Sequence, residues 1–176
     1  KQETSLMYAA NTGSELAFRM LLARGADVRV VSSDDCTALT YAAARGKPAL
    51  CEALAAAAKV QLGVMMPHTP NMLAYATPLE KLGTPTPAVH VAASHGHLSV
   101  VSLLIGWGVS ANMCRDPQGA TALMQAAENG RRAVVEWLID VGGADVNAQD
   151  NNGESALIYA CRTAREDVVR VLLSRR

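Results

Sequence analysis

One ten-residue phrase occurs five times along the chain, and it constrains the fold more than any other feature of the sequence. In its most regular copies the phrase begins with Thr, has Leu at its third position and an Ala-Ala pair at its sixth and seventh, and ends with Gly. The copies begin at residues 4, 37, 87, 121 and 155, so successive copies start 33, 50, 34 and 34 residues apart. A period of this length predicts a repeat architecture in which each unit stacks on its neighbours.

Each part of the phrase predicts a piece of local structure. Thr or Ser at the first position is a helix cap, because its hydroxyl accepts a hydrogen bond from an amide of the first turn. The alanine pair lets neighbouring helices approach closely, and glycine at the tenth position provides the left-handed turn that ends a helix. We number each repeat from its first residue, so that position 1 is Thr4, Thr37, Pro87, Thr121 or Ser155.

The residues after position 10 predict a second helix and a finger-like loop. Apolar side chains recur at i, i+1, i+4 and i+5, as in the run at 134–139, which is the pattern of one buried helical face. The segments 116–119 and 150–153 each begin with Asp and end with Gly, as type I turns do. The repeat unit is therefore predicted to be helix, turn, helix and a finger closed by a tight turn.

This combination resembles the ankyrin repeat, which has a 33-residue period and the signature Thr-Pro-Leu-His-x-Ala. A Gly-Ala-Asp sequence follows the second helix at 25–27 and 143–145, and a tetratricopeptide array lacks it. The resemblance implies an all-α repeat solenoid, a stack of helix-turn-helix units with β-hairpin-like fingers. It implies a single domain over residues 1–176. One departure is that the signature histidine is present only as His90.

The long interval between the second and third copies contains one period and an insertion at about residues 60–86. This insertion holds four of the seven prolines and three of the seven methionines. Two interpretations stay open: an ordered elaboration packed on the stack, or a partner-binding loop in which flexible methionines adapt to another surface. The insertion also supports an alternative function, in which the chain is a structural segment of a longer multidomain protein and docks intramolecularly through residues 60–86.

The first repeat is expected to lack protection. Solenoids usually need polar terminal caps, but in the first repeat Phe18, Met20 and Leu21 have no obvious protection. We therefore expect the chain to be a segment of a longer protein.

Composition and motifs argue against an enzyme, a metal site or a nucleic-acid binder. The 16 basic and 16 acidic residues balance, whereas nucleic-acid and anionic-membrane binders carry a clustered basic excess. The four cysteines form no C-x-x-C pair, which fits reduced thiols in an intracellular protein of the cytoplasm or nucleus. No phosphate loop or zinc-spaced cysteine set is present, and the resemblance places His90 and His97 at ordinary family positions. We expect no cofactor, no metal, no small-molecule substrate, no membrane contact and a monomer for the isolated domain.

Charge is unevenly distributed between the last two repeats. Residues 121–154 carry six acidic and two basic side chains, whereas residues 155–176 carry five basic and two acidic ones. We interpret this asymmetry as complementarity toward a protein partner or a neighbouring segment rather than as a nucleic-acid patch.

The resemblance implies a non-catalytic protein–protein interaction module that binds a protein partner on the concave face of the stack. In the family, ligand contacts concentrate on the fingers and at positions 5, 8 and 9 of the repeat, in or beside its first helix. Carried over by register, the concave-face residues are Tyr8, Asn11, Thr12, Tyr41, Arg45, Ser94, His95, Gln125, Glu128, Asn129, Tyr159 and Arg162. The finger residues are Ser33, Asp34, Met113, Arg115, Gln149 and Asn151.

Aromatic residues on this face have two interpretations. The chain is only 4% aromatic, and aromatic anchors concentrate binding energy at interfaces. Tyr8, Tyr41 and Tyr159 therefore either contact a partner or pack between neighbouring first helices. Trp107 either packs on the insertion or is an exposed anchor.

Overall fold

The computed structural model describes residues 3–34, 36–61, 88–113 and 118–175, and these form ten helices in five consecutive pairs. The first helices of successive pairs contact one another, as do the second helices. The predicted all-α repeat architecture is therefore confirmed. The helices are α1 Ser5–Thr12, α2 Glu15–Ala23, α3 Ala38–Ala44, α4 Pro48–Gln61, α5 Ala88–His95, α6 Leu98–Gly106, α7 Ala122–Glu128, α8 Arg132–Asp140, α9 Ala156–Arg162 and α10 Glu166–Ser174.

Three of the first helices begin as the phrase predicts. The hydroxyl of Thr121, for example, accepts a hydrogen bond of 3.3 Å from the amide of Met124, and Thr4 and Thr37 cap α1 and α3 in the same way. The residue at position 4 completes the cap, because the Met124 sulfur accepts from the Thr121 amide at 3.3 Å. Ser155 makes no side-chain cap bond, so the predicted cap is wrong in the fifth repeat.

Position 10 has the left-handed backbone that its glycine predicts. The φ angle is +71° at Gly13 and +68° at Gly130. The fifth repeat has Ala164 at this position, and its φ of +54° makes it the one residue other than glycine with positive φ in the described ranges. The turn therefore forms even where a Cβ makes it unfavourable.

The core lies between successive pairs and uses small side chains. Position 7 is Ala10, Ala43, Ala93 or Ala127 in the first four repeats, and each of these is fully buried. Phe18 is also fully buried, so the expectation that it lacks protection is wrong. It occupies position 15, which packs toward the following repeat, whereas Met20 remains 57% exposed.

The second repeat departs from the others after its second helix. Pro48 begins α4, as suits a residue with no amide hydrogen to donate, and the helix continues through Gln61 into the start of the expected insertion. The remainder of the insertion lies outside the described residues. In the part of the chain that the structure describes, no helix is both long enough and apolar enough to span a membrane.

Candidate protein-interaction surface

The twelve concave-face candidates lie at or beside five neighbouring first helices, and together we call them the first-helix strip. These helices are α1, α3, α5, α7 and α9, each in contact with the next. The strip comprises Tyr8, Asn11, Thr12, Tyr41, Arg45, Ser94, His95, Gln125, Glu128, Asn129, Tyr159 and Arg162. Its exposure is uneven, since Thr12, Arg45, His95 and Arg162 are exposed, Tyr8 is 63% exposed and Tyr159 only 5%.

Hydrogen bonds between the first two repeats hold part of the strip in place. The Arg45 guanidinium donates to Asn11 Oδ1 at 3.0 and 2.9 Å. The Tyr41 hydroxyl donates to Glu3 Oε1 at 3.0 Å. Partial burial and this bond to the Glu3 carboxylate raise the pKa of Tyr41 above its ordinary value. Tyr41 therefore stays protonated as a donor, and it is only half-buried.

Arg162 joins the fourth and fifth repeats through two carboxylates. Its guanidinium lies 3.1 Å from Glu128 Oε1 and 2.7 Å from Glu154 Oε2. Arg175 similarly pairs with Asp140 at 2.8 Å. Three acidic side chains of residues 121–154 thus pair with two arginines of the fifth repeat across their shared junction. Of the two interpretations of the charge asymmetry, the structure supports attraction to a neighbouring segment.

Tyr159 belongs to the packed interior rather than to an exposed tyrosine strip. Its hydroxyl donates to Asp150 Oδ2 at 2.9 Å, and the Arg162 guanidinium lies 4.5 Å from its ring centroid. Burial and the Asp150 carboxylate raise the pKa of Tyr159 to about 12. Of the two interpretations left open for the tyrosines, packing therefore describes Tyr159, whereas Tyr8 is exposed and Tyr41 is half-buried.

Asp150 connects this tyrosine to the finger turn. Its Oδ1 accepts from the amides of Asn152 at 2.9 Å and Glu154 at 2.8 Å, and the Gly153 amide donates to its carbonyl at 3.0 Å. Desolvation opposes ionisation of Asp150, but bonds donated by the Glu154 amide, by Tyr159 and by Asn152 outweigh it and lower its pKa. The predicted turn at 150–153 is thus held by an ionised side chain.

Side chains in the central part of the strip make mainly hydrogen bonds within their own helix turn. The Ser94 hydroxyl donates to Val91 O at 2.9 Å, and His95 Nδ1 lies 2.9 Å from the same oxygen. Asn129 Nδ2 donates to Gln125 O at 2.8 Å. The His95 and His97 rings stack at 6.0 Å. Among the described residues, no three His, Cys, Asp or Glu side chains form a group that would hold a metal ion.

Position 11 carries a contact that the sequence interpretation missed. Arg131 Nε donates to Ser94 O at 2.9 Å, and Arg165 Nε donates to Glu128 O at 3.3 Å. His97 Nε2 makes the equivalent contact to Ala44 O at 3.0 Å. Each contact supplies a donor to a carbonyl at position 8, near the end of the preceding first helix, where carbonyls lack helical partners. The signal in the sequence was a basic side chain or a histidine at position 11 of every repeat from the second onward. In the fifth repeat this residue, Arg165, follows Ala164 instead of a glycine.

The described finger candidates differ in exposure. Ser33, Asp34, Gln149 and Asn151 are exposed, whereas Met113 is half-buried against the core. Arg115 lies outside the described residues. Trp107, the residue that follows α6, is half-buried and packs against the core. The alternative in which it packs on the insertion involves residues outside the described ranges.

Neighbouring fingers are joined by hydrogen bonds of the backbone and of the Asn112 side chain. The Asn151 amide donates to Gln118 O at 2.9 Å. Asn112 Oδ1 accepts from the Asp145 amide at 2.7 Å, while its Nδ2 donates to Gly143 O at 3.1 Å. The fingers and the first-helix strip therefore form a surface whose parts are linked from repeat to repeat.

Comparison with known proteins identifies the repeat. A family model described as Ankyrin repeats (3 copies) matches residues 1–77 and 84–176. No curated protein matches the chain significantly.

Proposed function

The chain belongs to the ankyrin repeat family, and from this premise we propose that it is a non-catalytic module that binds a protein partner through the first-helix strip, on the concave face of the stack. Ankyrin repeats are generally protein–protein interaction modules, and the family is typically non-catalytic. The proposal extends to a single domain over residues 1–176, with the fingers contributing contacts at the edge of the strip.

The observation that carries the proposal is the set of hydrogen bonds running across the strip between repeats. Arg45 is held by Asn11 and Arg162 by Glu128 before any partner arrives. Side chains already ordered in the unbound protein lose less conformational entropy on binding. The bonds that join neighbouring repeats therefore also orient the exposed polar side chains that a partner would meet.

The side chains on the strip suggest the chemistry of the partner surface. Arginine and tyrosine are enriched among residues that dominate binding energy. Here Tyr41 lies on α3 and Arg45 at its end, and α3 contacts α1, the helix that carries the exposed Tyr8. This end of the strip fits a partner segment that offers carboxylate or carbonyl acceptors beside an apolar side chain. We place this interaction inside the cell, in the cytoplasm or nucleus, because Cys51 and Cys161 are thiols outside any disulfide.

Differential capture tests this proposal. The immobilised chain is incubated with cell extract, and the retained proteins are identified by mass spectrometry. A double variant, Thr12→Glu with His95→Glu, adds charge at two exposed strip positions. Its matched control is Ser99→Glu with Ala133→Glu, which adds the same charge at exposed positions of the second helices.

The strip variant should lose at least one protein that both the wild type and the control retain. Circular dichroism spectra that match among the three proteins establish that folding is intact. Identical captured sets for the strip variant and the control would contradict binding through the strip. The alternative of intramolecular docking through residues 60–86 rests almost entirely on residues outside the described ranges.

A further inference from the structure

The side chain at position 11 reaches back over the preceding repeat at each junction between repeats. A Cβ atom added to Gly96 would lie 2.9 Å from Arg131 Cδ. A Cβ atom added to Gly130 would likewise lie 2.9 Å from Arg165 Cδ. The position-11 side chains of the second and third repeats cover the glycines before them in the same way. We call these residues the position-11 row: Lys47, His97, Arg131 and Arg165.

The cationic members of this row form no ion pair with any residue that the structure describes. Lys47, Arg131 and Arg165 are all exposed. Six of the other eight described arginines do pair with a carboxylate, namely Arg19, Arg29, Arg132, Arg162, Arg170 and Arg175. Cationic side chains without a described carboxylate partner are therefore concentrated where the first helix of a repeat turns into the second.

Each arginine of the row has donors left for a ligand. Its Nε is bonded to a carbonyl of the preceding repeat, at 2.9 Å for Arg131 and 3.3 Å for Arg165. A guanidinium has five N–H donors, so the donors on its two terminal nitrogens remain, and a carboxylate accepts two of them side by side. The Nε bond also holds the guanidinium in place before binding, which reduces the entropy lost when a ligand arrives.

The acidic side chains closest to these arginines in the sequence are paired with other residues. Glu128 lies 3.1 Å from Arg162, and Glu166 lies 3.8 Å from Arg170. Neither carboxylate pairs with Arg131 or Arg165, so the row keeps its positive charge at the surface. A surface of one sign attracts ligands of the opposite sign.

We propose that the position-11 row binds an acidic segment of a partner protein, extended along this edge of the stack, with a carboxylate at every third residue. The row lies outside the first-helix strip, so this contact is additional to the one proposed above and does not depend on it. Acidic and basic residues balance in the chain as a whole, whereas nucleic-acid affinity rests on a clustered basic excess. Peptide carboxylates therefore fit the row better than the phosphates of a nucleic acid.

The spacing of the repeats sets the spacing of the carboxylates. First helices of neighbouring repeats pack against one another, and packed helices lie about 8–10 Å apart. A polyproline II segment rises about 3.1 Å per residue and completes a turn in three residues, so side chains on one face recur about every 9 Å. A β-strand places residues three apart on opposite faces, which would turn alternate carboxylates away from the row. We therefore expect the bound segment in the polyproline II conformation.

Fluorescence anisotropy with the intact chain and two labelled peptides tests the spacing. The spaced peptide contains four Glu-Pro-Pro units, and the clustered peptide contains two Glu-Glu-Pro-Pro-Pro-Pro units. The two peptides have the same length, composition and charge, and proline favours the polyproline II conformation in both. Only the arrangement of the carboxylates differs. The spaced peptide should bind the wild type about fivefold more tightly or better, because more of its carboxylates face the row.

Substitutions in the row test where the peptide binds. Arg131→Gln with Arg165→Gln should weaken binding of the spaced peptide about tenfold, because each exposed ion pair contributes a few-fold. Arg131→Lys with Arg165→Lys keeps the charge and uses the residue that the fold already has at Lys47, so its affinity should stay within about threefold of the wild type. The matched control, Arg19→Gln with Arg170→Gln, removes the same charge from exposed sites on second helices and should bind as the wild type does. Circular dichroism confirms that all the proteins are folded.

Four results would overturn the proposal. The first is a wild type that does not bind the spaced peptide up to about 1 mM. The second is equal affinity for the spaced and clustered peptides, and the third is an equal loss of affinity in the row and control glutamine variants. The fourth is an oligothymidine that binds more tightly than the spaced peptide and displaces it, which would assign the row to nucleic acid. These measurements use a defined peptide and substitutions outside the first-helix strip, so they can fail while the capture experiment succeeds, and the reverse.

Discussion

Most substitutions destabilise a protein, but replacing Ala164 with glycine should stabilise this one. Ala164 holds φ at +54°, at the position where glycine ends the first helix of the preceding repeats. An L-residue other than glycine loses about 1–2 kcal/mol in this left-handed conformation. Its side chain is exposed, so removing the methyl group sacrifices little burial. The amide bond from Ala164 to Cys161 O, at 3.1 Å, is made by the backbone and is retained.

The net gain is smaller than the strain relieved, because glycine also makes the unfolded chain more flexible. That flexibility costs about 0.4–1 kcal/mol, which leaves Ala164→Gly more stable by about 0.8 kcal/mol. For a protein of this size the midpoint of thermal unfolding should rise by about 2–3 °C. Urea unfolding followed by circular dichroism measures the free energy of unfolding directly.

A second alanine-to-glycine substitution gives the control. Ala56 is exposed in the middle of α4, where glycine is about 1 kcal/mol less favourable than alanine. The same chemical change should therefore have opposite effects at the two sites. If both variants lose stability by a similar amount, the left-handed backbone at Ala164 is not a source of strain and the reasoning fails.

Three further predictions follow from individual contacts. Thr121→Ala should lower the free energy of unfolding by about 1 kcal/mol, whereas Ser155→Ala should change it little. The reason is that, of the two residues, only Thr121 makes a side-chain cap. Equal losses of stability for the two variants in urea titrations would contradict this prediction. Hydrogen bonds lower the pKa of Asp150, so its contribution is present above the unfolded pKa of about 3.9 and is lost as pH falls through the folded value. Asp150→Asn should therefore reduce the acid sensitivity of the thermal midpoint below about pH 4, and an unchanged pH profile would count against this role. Cys161 should react with iodoacetamide in the folded protein, whereas Cys51, buried with its pKa raised to about 12, should react only after unfolding, as peptide mass spectrometry would reveal.

Local chemistry was sufficient to predict the helices of the repeat. Thr4, Thr37 and Thr121 cap helices because the bond is made within one turn, so neither partner depends on the rest of the fold. The turn at 150–153 was predictable for the same reason. Ser155 shows the limit of such reasoning, since a residue of the right type at the right position leaves the cap bond unmade.

Burial was harder to predict because it depends on which side of a repeat a position faces. Phe18 and Met20 are two residues apart in α2, yet Phe18 is fully buried and Met20 is 57% exposed. Hydrophobicity alone treats the two residues alike. The difference arises because position 15 faces the following repeat and position 17 faces the preceding one. Comparing the same position among all five repeats recovers this direction, which a single helical pattern does not contain.

The first-helix strip shows why a family register locates a surface without ranking its residues. Register alone gives Tyr8 and Tyr159 equal standing, but Tyr159 is committed to Asp150 while Tyr8 is exposed. Arg162 is both paired and accessible, since it bridges Glu128 and Glu154 yet keeps 47% of its side-chain surface exposed. A partner that recruits Arg162 must compete with the bonds that join the last two repeats. Substituting Arg162 would therefore change both the stability of the junction and the affinity for a partner. Thr12 and His95 differ, because they are exposed and their described hydrogen bonds stay within their own helix turns. A binding experiment that relies on these two residues therefore changes side chains that donate no described hydrogen bond to another repeat, and the spectra of the folded proteins check the stack of His95 on His97.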